Sequence, residues 1–402
     1  MINNITKENI ETTILSNMEH LYKNGPIDGK ILEEFAYIKR YFPETFSEHE
    51  SEILFLMGLF YKTTSPKNML ETAFDVYKEA IKEKWRHLYT PNQSRIRKEI
   101  RDNLYYSFSA PTSSGKSHVF RDLIKDSEKD IVIIVPSRAL ISEYYLSIIE
   151  LVSNEVLVLT FVDNINIEKT KRRIFILTPE RSQELFKYKN IFQIELFLFD
   201  EAQITDEQMR GLRFDSLVRR TIKEFPNAKK VFAHPFINNP EVHFKKHTII
   251  EDYASDAFNQ KAVGQLFYYK DNNQIYLYSP YESVKNLIAV RQDDAIIKNT
   301  LENGGTILVY LAKTKIYNWS FLKEFEQIIS ILPDVKDEKA LLLIEKIRVY
   351  LGASKTARGK QSSLLVNLLK KGIYLYILIN SSITFIVSLT TPGLVAVDRL
   401  SF

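Results

Sequence analysis

Apolar residues recur at helical spacing through the first 90 positions of the 402-residue chain. Ile10, Ile14, Met18 and Leu21 share one face, and Gly25-Pro26 breaks that run. Ile31, Phe35 and Ile38 mark a second helix, ended near Tyr41-Phe42-Pro43. Ser47-Glu48-His49-Glu50 reads as the N-terminal cap of a third, which carries Ile53 to Phe60. Ser65-Pro66 opens a fourth, with Leu70, Phe74, Tyr77 and Ile81 on one side. Residues 1–90 therefore predict an all-helical N-terminal domain with a structural or partner-binding role. Its histidines, His20, His49 and His87, are scattered, and no metal site is expected among them.

From residue 91 the period changes to strands alternating with helices, which predicts an α/β fold with a mostly parallel sheet over 91–255. Leu104–Ser109 reads as the first strand, and Ile131–Val135 is a continuous apolar run suited to a strand buried on both faces. Val156–Thr160, Arg173–Leu177, Ile194–Phe199 and Lys230–Ala233 follow, the last closing this unit. Gln265–Tyr269 and Ile275–Tyr278 predict a hairpin turning at Asp271-Asn272-Asn273. Thr306–Leu311 begins a second, partial α/β domain spanning 256–373. An atypical apolar tail, 374–402, closes the chain, and Tyr374 to Val397 contains no charged residue.

Composition narrows the class only slightly. Hydrophobic residues make up 45% and charged residues 26%, as in ordinary soluble globular proteins. A formal charge of +4 permits a polyanionic partner without demanding one. The absence of cysteine excludes disulfides and thiolate metal sites. Met1 to Lys7 lacks the basic-then-apolar order of a signal peptide, so a cytoplasmic location is expected.

The chemistry concentrates in Ala110-Pro111-Thr112-Ser113-Ser114-Gly115-Lys116-Ser117, between a strand and a helix. In that context the backbone N–H groups of a loop converge on a phosphate, and the helix N-terminus adds partial positive charge. Thr112, Ser113, Ser114 and Gly115 would cradle the phosphates of ATP. Lys116 would reach its β/γ-phosphates, and the Ser117 hydroxyl would ligate Mg²⁺. An ordinary turn containing Gly-Lys-Ser is the plainer alternative. At the end of a later apolar strand, Asp200 would hold the metal and Glu201 would orient and deprotonate the attacking water. A solvated helix cap is the alternative for that pair.

These two stretches together resemble motifs I and II of the superfamily 2 helicases of the DEAD/DEAH-box kind, with Asp200-Glu201-Ala202-Gln203 as a DEAQ form. The resemblance implies a RecA-like P-loop NTPase domain and adds Gln203 to the catalytic residues. Pro136–Leu140 is similar to motif Ia and Thr178–Arg181 to motif Ib, which implies nucleic-acid contacts from Arg138, Thr178 and Arg181. Gln93 lies about where family members keep an adenine-reading glutamine. Thr306–Lys315 resembles motif IV, and Ser363–Ile373 also looks like the family.

Two departures stand out. Motif III, usually Ser-Ala-Thr, corresponds to Ala233-His234-Pro235, where His234 either takes over the link between sites or is a polar strand-end residue. Beyond Ile373 the family's motif V and arginine-rich motif VI do not appear. A membrane segment, a pair of buried strands, and a frame shift or truncation are the three readings of the tail, of which the last is favoured.

The function expected is an ATP-dependent helicase or translocase on single-stranded or partly duplex DNA or RNA, incomplete as this chain. The alternative is an ATP-regulated nucleic-acid-binding or scaffold subunit of a defence or repair complex, its partner held by the helical domain. A small-molecule kinase fits less well. Lys169, Lys171, Arg172 and Arg173 are either added phosphate contacts or a solvated loop.

Overall fold

The computed structural model describes residues 2–111, 114–163, 170–235, 237–271, 274–281, 288–289, 307–310, 313–324, 326–332, 334–351, 357–373, 384–387 and 399–401. Two compact units make up the chain: one of residues 11–29 and 44–262, the other of 1–10, 30–43 and 263–402.

The first unit holds helices α1 (Ile10–Asn24), α3 (Pro43–Leu56), α4 (Met69–Trp85) and α5 (Pro91–Asp102), while α2 (Gly29–Tyr41) belongs to the second. Local capping sets their starts. The Asn68 side chain accepts a hydrogen bond from the Glu71 N–H at 2.8 Å and opens α4. Thr90 and Gln93 form a reciprocal capping box at α5, with Pro91 in the first turn. Ser47 is not the cap expected from sequence. Proline tolerates the first helical position, where its missing N–H costs nothing, so α3 starts at Pro43. Ser47 sits inside that helix, its hydroxyl donating to the Glu44 carbonyl at 2.7 Å.

Seven parallel strands follow: β1 (Tyr105–Ser109), β2 (Asp130–Ile134), β3 (Val156–Leu159), β4 (Arg172–Leu177), β5 (Ile194–Phe199), β6 (Lys229–His234) and β7 (Tyr253–Ala257). Their spatial order is β3-β4-β2-β5-β6-β1-β7. The crossovers include α6 (Lys116–Asp126), α7 (Arg138–Ile149), α8 (Gln208–Glu224) and the short α9 (Val242–Lys246). Side chains alternate between the two faces, as the pleat requires. Ile131 and Ile133 join a cluster with Val119, Phe120, Ile141 and Ile148, whereas Val132 and Ile134 join one with Phe199, Phe214 and Leu217. Phe55, Phe60 and Ile81 of the helical region belong to the first of these clusters, so they share its core.

Two findings depart from the sequence reading. β6 is not the last strand, because β7 pairs in parallel with β1, Tyr105 opposite Tyr253. As a half-exposed edge strand, Tyr-Ala-Ser-Asp-Ala carries no apolar run to betray it. Arg172 and Arg173 form neither a solvated loop nor a phosphate patch; they are buried at the start of β4. Arg172 donates to the Ile124 carbonyl at 2.6 Å, and the Arg173 N–H donates to Asp130 at 2.7 Å. Pairing and carbonyl contacts keep these charges inside. Lys171 is exposed, and Lys169 lies outside the described residues.

In the second unit β8 (Val263–Gln265) pairs antiparallel with β14 (Arg399–Ser401), and β12 (Ile307–Tyr310) with β13 (Thr384–Val387). The hairpin expected near 271–273 is present: β9 (Phe267–Asp271) pairs with β10 (Gln274–Tyr278), which β11 (Ile288–Ala289) extends. Helices α10 (Lys313–Tyr317), α11 (Phe321–Glu324), α12 (Glu326–Ile331), α13 (Glu338–Leu351) and α14 (Ala357–Lys370) complete it. The strand of the motif IV-like stretch is present, though Thr306, Leu311 and Ala312 lie outside the described residues. Most of the 374–397 tail lies outside them too, apart from Thr384–Val387. Among the described residues no helix is long and apolar enough to cross a membrane.

Candidate functional site

Parallel strands deliver their carboxyl ends to one edge of a sheet, where α/β domains gather ligands. Here that edge collects Ala110 after β1, Pro136–Arg138 after β2, Thr178–Arg181 after β4, Asp200–Gln203 after β5 and His234 ending β6. Because β6 lies between β1 and β5, the loop after β1 and the carboxylates after β5 are separated by two strand spacings, about 10 Å.

Gly115 adopts φ +81° and sits at the N-terminus of α6. A Cβ there would lie 2.1 Å from the Gln93 side-chain nitrogen, so only glycine fits. Gln93 donates to the Ser114 carbonyl at 3.2 Å, and its oxygen accepts from the Thr90 N–H at 3.0 Å. The side chain therefore joins the start of α5 to the loop. Beside them opens a cleft of about 260 Å³ lined by Leu59, Tyr61, Leu88, Pro91, Asn92, Gln93, Gly115 and His118. Among the described residues the buried Ser114 hydroxyl has no partner; Thr112 and Ser113 lie outside them.

Lys116 opens α6 and donates to the carbonyls of Ala110 at 2.9 Å and His234 at 3.3 Å. Burial lowers the pKa of its ammonium, while the charges of Asp200 and Glu201 oppose that shift. Burial conversely raises Asp200, against a hydrogen bond from Tyr144 and the charge of Lys116. The lysine and the aspartate thus share one cleft electrostatically. Asp200 extends the β2–β5 ladder, its N–H donating to Ile134 at 2.9 Å. Its carboxylate accepts from the Tyr144 hydroxyl at 2.7 Å and from the Glu201 N–H at 3.1 Å. Glu201 occupies the left-handed region at φ +54°, a conformation that costs a non-glycine residue about 1–3 kcal/mol. Gln203 donates its amide to the Glu201 carboxylate, and its own buried oxygen has no partner among the described residues.

These groups fit a small hard cation. Mg²⁺ takes one or two protein oxygens and completes its shell with phosphate and water, which suits one buried carboxylate beside the Ser117 hydroxyl. No group of three or more His, Cys, Asp or Glu side chains able to hold a metal occurs among the described residues.

The other expected residues divide. Arg138 is exposed in the first turn of α7. Arg181 is exposed and donates to the Thr160 carbonyl at 3.1 Å. Thr178 is buried. His234 touches the loop through its backbone only. Its ring is fully buried, meets the Ser107 hydroxyl at 3.2 Å and stacks on His243 at 5.0 Å.

Two residues escaped the sequence reading. Tyr144 falls on the apolar stripe of α7, which gives no sign of a bond to Asp200. Arg210 of α8 pairs with Glu180 and Glu207 and donates to the Pro136 carbonyl, tying the loops after β2 and β4 together. Only its place in the first turns of a helix marks it beforehand.

Residues 90–233 match the model of the DEAD/DEAH box helicase family. No curated protein matches the chain. Among solved structures the chain is similar to that of a hypothetical ATP-dependent RNA helicase from Sulfolobus tokodaii, at 18% identity and a TM-score of 0.33. The similarity covers 46% of this chain and 57% of that one.

Proposed function

With a DEAD/DEAH box helicase domain at residues 90–233 as the premise, we propose that the chain binds ATP with Mg²⁺ and hydrolyses it in response to nucleic acid. The observation that carries this reading is the electrostatic coupling of Lys116 with Asp200 and Glu201 at one sheet edge. Opposite charges held in a partly dry cleft, beside a glycine loop and a helix N-terminus, suit a metal-bound triphosphate.

In this reading Lys116 gives up its carbonyl contacts for phosphate oxygens, and Ser117 with Asp200 holds the metal. When bound, the metal neutralises charge developing on the phosphoryl oxygens. Glu201 orients and deprotonates the attacking water, and Gln203 fixes its carboxylate. The cleft beside Gln93 takes the base. Arg138 and Arg181, exposed on the same edge, hold nucleic-acid phosphates, whereas Thr178 is buried in the loop that carries Arg181.

The test is ATPase activity measured with and without single-stranded RNA or DNA. Stimulation by either supports a motor. ATP binding that changes nucleic-acid or partner affinity, without stimulated turnover, would instead support an ATP-regulated binding subunit.

A further inference from the structure

Tyr144 lies six residues after Arg138 in α7, on the Ile141–Tyr144–Ile148 stripe that packs against the sheet. Its ring is only 6% exposed and sits in the apolar cluster. Its hydroxyl does not follow the ring. That group donates to Asp200 Oδ2 at 2.7 Å. The phenol therefore touches a carboxylate assigned above to the metal, just past the end of β5.

Packing alone does not ask for this hydroxyl, since phenylalanine would fill the same space. A buried tyrosine O–H needs a polar partner, and here that partner belongs to the proposed site. Burial and the Asp200 charge push the phenol well above its usual range, so it remains a neutral donor. A carboxylate held by a buried hydroxyl cannot rotate freely. Holding ligand side chains in this way typically changes metal affinity 10–100-fold.

We propose that Tyr144 is a positioning residue for the metal, its hydroxyl fixing the Asp200 carboxylate before a cation arrives. This inference rests on the nucleotide reading above and adds to it a residue on the helix that Arg138 begins.

The experiment titrates Mg²⁺ into the full chain with a fluorescent ATP analogue and reads the half-saturating metal concentration for wild type, Tyr144→Phe, Asp200→Asn and the double variant. Thermal melting confirms that each is folded. Tyr144→Phe is expected to raise half-saturating Mg²⁺ about tenfold. Added to Asp200→Asn, it is expected to raise it less than about twofold, because both act through one contact. A half-saturation within about twofold of wild type in Tyr144→Phe overturns the proposal, as do independent, multiplying effects in the double variant. A wild type that binds no nucleotide at all overturns the nucleotide reading itself.

Discussion

The Lys116 ammonium donates to the main-chain carbonyl of His234 at 3.3 Å, joining the first turn of α6 to the end of β6. It also feels the carboxylates one strand further on. The lysine is thus held extended across β6, its charge delivered to the cleft by backbone rather than by a rigid side chain.

Removing that charge is expected to cost most in binding. Lys116→Ala should weaken ATP affinity by about 1.5–3 kcal/mol, the range of hydrogen bonds to charged groups, or about 10–150-fold. Equilibrium titration with a fluorescent ATP analogue reads this. Unchanged affinity in a folded variant would refute the phosphate-binding role.

Glu201→Gln separates hydrolysis from binding. Loss of a general base lowers turnover about 10²–10⁴-fold, while Lys116, Ser117 and Asp200 remain to hold nucleotide. Nucleic-acid-stimulated turnover should fall by that factor, with ATP affinity kept within about threefold. A parallel fall in affinity would place Glu201 in binding rather than in chemistry.

Gly115→Ala introduces a Cβ 2.1 Å from the Gln93 amide at a backbone angle of φ +81°. The left-handed conformation alone costs about 1–2 kcal/mol, and the amide has to move as well. A lower melting temperature together with weakened ATP binding is expected. The double variant Gly115→Ala, Gln93→Ala should recover part of the melting temperature and leave binding weak.

Acid should destabilise the first unit through its stacked imidazoles. Burial above all lowers His234 to about 3 and His243 to about 4, from an ordinary imidazole value of 6.5. The groups facing them are Lys116, His247, Asp215 and Lys246. The unfolded chain therefore takes up protons near pH 6.5 that the folded chain refuses down to those lower values. Stability is complete above pH 6.5 and declines below it, by about 2 kcal/mol per imidazole at pH 5. His243→Phe suits a ring that stacks on Phe232 at 4.7 Å. Urea unfolding of that variant should lose about 2 kcal/mol less than wild type between pH 8 and pH 5.

Much of the sheet was legible because its central strands are buried on both faces. Ile131–Val135 leaves no polar position to confuse the period, and Ile194–Phe199 interrupts its apolar run only at Glu195. β7 was not legible, since an edge strand keeps polar side chains in water and pairs through its backbone. Arg172 and Arg173 misled for the opposite reason: charged letters suggest a surface, and only the fold shows Ile124 and Asp130 waiting for them. Lys116, Asp200 and Glu201 stood out because phosphate and metal chemistry needs those side chains at strand ends. Tyr144 and Arg210 could not, as each is defined by partners more than 50 residues away in sequence or held through a main-chain carbonyl.

Gln93 is pinned at one end by the start of α5 and at the other by the loop that Gly115 closes. The loop of residues 110–117 is consequently not a portable cassette. A graft of residues 110–117 into another scaffold would arrive without the helix start that shapes it, and any transplant of the site has to carry the chain from Thr90 onward.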